Sequence, residues 1–185
     1  MCEEVYFMGI KIKTEVIYDG WMKLIRKQVN EKWYEVLENH DAVSAIVKDK
    51  NGKILLVEQY RPAMDVNTLE IPAGVIDKPL TNEEIMAEEL AEEANLQVDA
   101  ACIKEAVCFK PIVGFSNSTT WIYEVQLNVE GENMEIHNDD VHQIHWYTLD
   151  EFRSGVNTGA IDDCKTIIAF YYLESQHFKN LYKGE

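Results

Sequence analysis

Between residues 83 and 93 the sequence holds six glutamates and no basic residue. Set on a helix over 83–94, Ala87, Leu90, Ala91 and Ala94 recur at i, i+3, i+4 and i+7 and predict a narrow core-facing stripe. Glu89, Glu92 and Glu93 are expected on the opposite side. Thr81 followed by Glu84 spells a capping box that starts the helix. The pairs 84/88, 88/92 and 89/93 set like charges one turn apart, each costing roughly 0.2–0.5 kcal/mol. One account of such a segment is a solvated face, because Glu forms helices well. The other is a divalent cation, which hard oxygen donors gathered on one face bind and which relieves their repulsion.

The charge of the whole chain bears on that choice. A formal net charge of −16 excludes nucleic-acid polymers and anionic membranes as partners, since both bind through positive potential. A phosphate-bearing small molecule is repelled as well unless a cation sits in its site. With 46% hydrophobic residues and only four prolines, the 185-residue chain reads as one folded domain with room for a small accessory element. The longest apolar run, Ile167–Leu173, is far short of the roughly 20 residues that span a bilayer. Four cysteines without metal-ligand spacing read as reduced, structural thiols of a cytoplasmic protein, and the five histidines form no cluster.

Strand-like segments at 22–25 and 33–37, split by a polar turn at Asn30–Glu31, predict a small two-stranded leading sheet. Residues 42–48 and 53–60 follow as apolar strands joined by Asp49-Lys50-Asn51-Gly52, whose Asn-Gly suits a tight hairpin turn. Further strands are expected at 102–109, 119–127 and 142–148, with helices at 149–153 and 163–176. Helices on both sides of a mixed sheet make this an α/β sandwich. The expected division is an N-terminal β-extension over 1–40 and a main domain over 41–185.

Gly74 is expected to open a loop, and Glu89-Leu90-x-Glu92-Glu93-x-x-Leu96 follows at a spacing that resembles the Nudix box, a glycine and then a glutamate-bearing helix. VEQYRP (57–62), LEIPAGVID (69–77), PIVGFSNST (111–119) and DDCKTIIAFYYL (162–173) extend the resemblance to the ADP-ribose and ADP-sugar pyrophosphatase branch. The resemblance implies a Nudix-type α/β/α sandwich that hydrolyses the diphosphate linkage of a nucleoside diphosphate sugar. It implies Mg²⁺ or Mn²⁺ held by Glu89, Glu93 and the backbone carbonyl of Ala73, with Glu92 joining or orienting waters. Asp140 is the matching candidate for the base that activates water. Arg61 matches an arginine that grips phosphates with its planar fork. Glu70 and Gly74 fall at substrate-site positions, and Trp21, Trp33 and Tyr34 at positions that stack on adenine in homodimeric relatives.

Three box positions depart from the family pattern: Leu80 stands for a glutamate, Glu88 for an arginine and Asn95 for a glycine. Asn95 is a mild change, because Asn tolerates the left-handed backbone at a helix end. Leu80 and Glu88 remove two partners that help hold the carboxylates, and motivate an alternative: a nucleotide-binding sensor with weakened turnover.

Overall fold

The computed structural model describes residues 2–7, 10–132, 134–135 and 141–182, and the side chains of 12–132 and 141–179. The leading sheet has four antiparallel strands rather than two: β1 (Cys2–Phe7), β2 (Ile10–Asp19), β3 (Lys23–Val29) and β4 (Lys32–Glu38), in that order. Residues 2–19 supply the pair that the sequence reading left out. The β3–β4 turn follows expectation, with Asn30 and Glu31 both at positive φ, 48° and 67°.

The second sheet is mixed. Its strands are β5 (Ala42–Lys48), β6 (Ile54–Arg61), β7 (Val66–Glu70), β8 (Ala73–Val75), β9 (Lys104–Phe109), β10 (Thr120–Gln126), β11 (Met134–Glu135) and β12 (Val141–Tyr147). The main order is β11-β12-β6-β5-β10-β9, with β7 on β6 and β8 on β5. Among the described strands of this sheet, β5 and β10 alone pair in parallel. Gly74, expected to open a loop, instead lies within β8 opposite Val43. The β5–β6 connection makes the expected tight turn over Asp49–Gly52, closed by Gly52 N–H donating to Asp49 O at 3.1 Å with Gly52 at φ 79°. Its loop wraps around buried Asp49, whose carboxylate accepts from the backbone N–H groups of Asn51, Lys53 and Gly131.

Three helices sandwich this sheet: α1 (Asn82–Ala94) on one face, α2 (Leu149–Thr158) and α3 (Cys164–Tyr182) on the other. Strand alternation makes the two cores. Val43, Ala45, Val47, Leu55, Val57, Tyr123 and Val125 pack toward Ile85, Met86 and Leu90 of α1. Ile46, Ile54, Leu56 and Ile122 pack toward Phe152, Ala169, Phe170 and Leu173 of α2 and α3. Thr81 and Glu84 form the expected capping box, and Asn95 ends α1 in the left-handed conformation at φ 54°. Among the described residues no helix is long and apolar enough to cross a membrane. Cys102, Cys108 and Cys164 are free, in keeping with reduced thiols, and exposed.

Candidate active site

The site is built where β8 meets α1. A side-chain Cβ on Gly74 would fall inside the Glu89 carboxylate, so that carboxylate lies directly on the strand backbone, a close approach only glycine admits. Glu93, one turn on, is 7% exposed, and its Oε2 accepts a hydrogen bond from Ala73 N at 3.1 Å. This corrects the expected helix orientation. The buried residues of α1 are Ile85, Met86, Leu90, Glu93 and Ala94, and Met86, Leu90 and Glu93 stand at i, i+4 and i+7. Glu93 therefore belongs to the inward face, while Glu92 is exposed.

Burial raises the Glu93 carboxyl to about 8, opposed by the Ala73 N–H and reinforced by the charge of Glu89. Glu89 rises to about 7, by burial first and then by the charge of Glu92. Glu89 accepts no hydrogen bond from the described residues. Two half-buried to buried carboxylates that repel each other, one without a donor, are a poor arrangement for protein alone and a good one for a hard cation. Among the described residues no three His, Cys, Asp or Glu side chains converge. The carboxylates that the structure brings beside β8 are Glu89 and Glu93, two of the residues that the resemblance implies as ligands. Such a set leaves several coordination positions to water, as Mg²⁺ favours.

Facing this pair is a network of ion pairs. Arg61, at the end of β6, grips Glu70 with Nε–Oε1 2.7 Å and Nη2–Oε2 2.6 Å. Lys165 in the first turn of α3 also donates to Glu70 Oε2, and to Asp163 Oδ2 at 3.1 Å. Thr68 Oγ1 donates to Glu70 Oε1 at 2.6 Å. Asp163 in turn accepts from Thr166, whose hydroxyl accepts from Ile71 N. Glu70 is buried, yet these donors outweigh its desolvation and hold its carboxyl at about 2. One edge of the Arg61 guanidinium is thereby fixed, and Nη1 has no partner among the described residues, so the other edge faces a 360 Å³ pocket. The charges of Arg61 and Lys165 both act on Glu93, so network and carboxylate pair form one site.

Lys165, Thr68 and Asp163 were not singled out in the sequence. The signals available were the resemblance of DDCKTIIAFYYL, which contains Asp163 and Lys165, and Lys165 itself, a cation in the first turn of a helix, where the dipole disfavours positive charge.

The aromatic residues do not gather. Trp21 lies in the β2–β3 connection, 65% exposed, with its ring 5.3 Å from that of His40 across a cleft of about 470 Å³. Trp33 sits on β4 opposite Gln28, beneath Lys13 and Arg26, whose charges lie 5.3 and 5.7 Å from its ring centre. Tyr34 points to the other face of the strand. Five residues of register, roughly 17 Å of strand, separate the Gln28–Trp33 pair from Lys23–Glu38, the pair next to the connection that carries Trp21. Asp140 lies outside the described residues.

The NUDIX domain model matches residues 38–166, from the last residue of β4 into α3, and the chain belongs to the Nudix hydrolase family. It is 28% identical over 174 residues to a methanol dehydrogenase activator of Bacillus methanolicus, covering 89% of this chain and 92% of that one. It is 27% identical over 141 residues to an ADP-ribose pyrophosphatase of Bacillus subtilis, covering 76% and 75%. A crystal structure of an ADP compounds hydrolase superposes with a TM-score of 0.70 over 97% of this chain and 95% of that one. At 13% identity that likeness speaks for the fold.

Proposed function

We propose that the chain is a divalent-metal-dependent pyrophosphatase acting on ADP-ribose or a related nucleoside diphosphate sugar, releasing a nucleoside monophosphate and a sugar phosphate. The observation that carries this reading is the Glu89–Glu93 pair, half-buried to buried and charge-strained, with the charge of the Glu70-anchored Arg61 acting on Glu93. Glu89, Glu93 and the Ala73 carbonyl would hold Mg²⁺ or Mn²⁺, with Glu92 orienting bound water. When bound, the ion screens the diphosphate, polarises a phosphorus–oxygen bond and lowers the pKa of water. The open edge of Arg61 donates to phosphate oxygens in the plane that Glu70 and Lys165 fix. Water adds to phosphorus as the bridging oxygen leaves with its electron pair, and Asp140 is the proposed acceptor of the water proton.

Trp21, Trp33 and Tyr34 are assigned to the adenine end. Their separation within one chain, and the exposed run Val16, Ile17, Tyr18, Trp21 and Met22, support a homodimer in which two copies complete the site. Sedimentation at micromolar concentration tests this, and a monomer under turnover conditions refutes it.

The deciding assay is purified protein with ADP-ribose and Mg²⁺ or Mn²⁺, monitored for AMP. Release of AMP that disappears in E93Q supports the assignment. Tight nucleotide binding with no AMP selects the sensor reading instead. The full-length likeness to a methanol dehydrogenase activator favours one further reading, action on a nucleotide in the service of a dehydrogenase. A change in methanol dehydrogenase rate on adding the chain with Mg²⁺ tests it.

A further inference from the structure

The two halves of the carboxylate site come from different elements: β8 carries Ala73 and Gly74, and α1 carries Glu89 and Glu93. The six-residue connection between them, 76–81, is exposed from Asp77 onward. Midway along it Lys78 reaches across to Glu88, with Nζ 2.6 Å from Oε2. Glu88 is the residue immediately before Glu89, and the charge of Lys78 acts on Glu89 and Glu92 as well. Leu80, in the same connection, is exposed and makes no ion pair of its own. The pair thus ties the connection after β8 to the carboxylate helix across a sequence separation of ten. Its inner counterpart is the buried Ala73 N to Glu93 bond.

We infer that Lys78 is a positioning residue: through its ion pair with Glu88 it clamps the β8–α1 connection and fixes Glu89 over Gly74 for divalent-ion binding. This rests on the metal reading given above. The glutamate at position 88 is then no intruding charge but one end of the clamp, and the cation that matters sits on the loop.

Charge alone and clamping predict different outcomes for K78M, which makes the inference testable. If Lys78 acts only as a nearby positive charge, K78M leaves Mn²⁺ binding unchanged or tightens it, and E88Q loosens it. If Lys78 and Glu88 form a clamp, both variants loosen Mn²⁺ binding, each by about two- to fivefold, the range an exposed pair supports. The double variant K78M/E88Q is then no weaker than the singles. Titration calorimetry of the whole protein with Mn²⁺ alone, without nucleotide, reads these constants, with circular dichroism confirming that each variant is folded. K78R, which keeps the charge and reach, should bind Mn²⁺ within about twofold of wild type by the same measure. Additive losses, a K78M variant that binds as tightly as wild type, or a K78R variant that behaves like K78M each overturn the clamp. A wild-type protein that takes up no Mn²⁺ overturns the metal reading itself, a separate result.

Discussion

At the residue scale, Gly74 and Glu70 make the sharpest predictions. Alanine at position 74 has an ordinary backbone conformation open to it, so its Cβ displaces the Glu89 carboxylate rather than the strand. G74A should therefore stay folded, with a melting temperature close to wild type, and lose Mn²⁺ affinity and AMP release together. A variant with normal turnover would show that Glu89 does not work from where it lies. Glu70 behaves differently, because its loss leaves Arg61 and Lys165 facing each other without their shared counter-charge. E70Q should cost about 3 kcal/mol, read by urea unfolding, in keeping with the removal of one partner from a buried pair. The spacing of glutamates was legible before any coordinates, and the positions of Glu89 and Glu93 on one helix followed from it. That Glu93 faces inward was not. The alanine stripe has the same helical period as the true face, and period alone does not place a carboxylate in a core. Lys165 escaped for a related reason, since its partner Glu70 is 95 residues away and only the fold joins them.

At the scale of the element, α1 carries a pH dependence with a definite sign. Glu89 and Glu93 have folded-state values raised above the ordinary 4.5, to about 7 and about 8, so the folded protein holds protons that the unfolded chain releases. Their stabilising contribution is full below pH 4.5 and is lost as pH climbs through 7 and 8. Glu70, lowered to about 2, acts in the opposite sense, present above 4.5 and lost as the solution is acidified toward 2. Ion-free protein should accordingly melt highest between these limits, near pH 5, and progressively lower toward pH 8.5. Added Mn²⁺ should raise the melting temperature more at pH 8 than at pH 5, because protons and metal compete for the same oxygens. A shift independent of pH would count against the two carboxylates as ligands. The seven-residue strands β5, β10 and β12 were legible from pattern, while the ten-residue β2 was not, and neither were β7 and β8. Five and three residues long and separated by Pro72, they are strands only because β6 and β5 offer them open edges.

Over the whole molecule, charge is unevenly shared. Residues 1–38 carry six basic and seven acidic side chains, and residues 39–185 carry eleven and twenty-six, so nearly all of the −16 belongs to the second part. An anionic substrate approaches that part against a repulsive field, which salt screens. With metal saturating, kcat/KM for ADP-ribose should rise between about 10 and 150 mM salt, as the Debye length falls from roughly 30 to 8 Å. A fall over that range would point to a positive approach path. The small β8 strand has a broader consequence. Because Ala73–Val75 are laddered to Ala42–Ser44 at the centre of the main sheet, the floor under Glu89 has no local way to open. Amide protons there should exchange with solvent as slowly as those of β5, through global opening alone, so the ion-binding geometry persists until the molecule as a whole gives way.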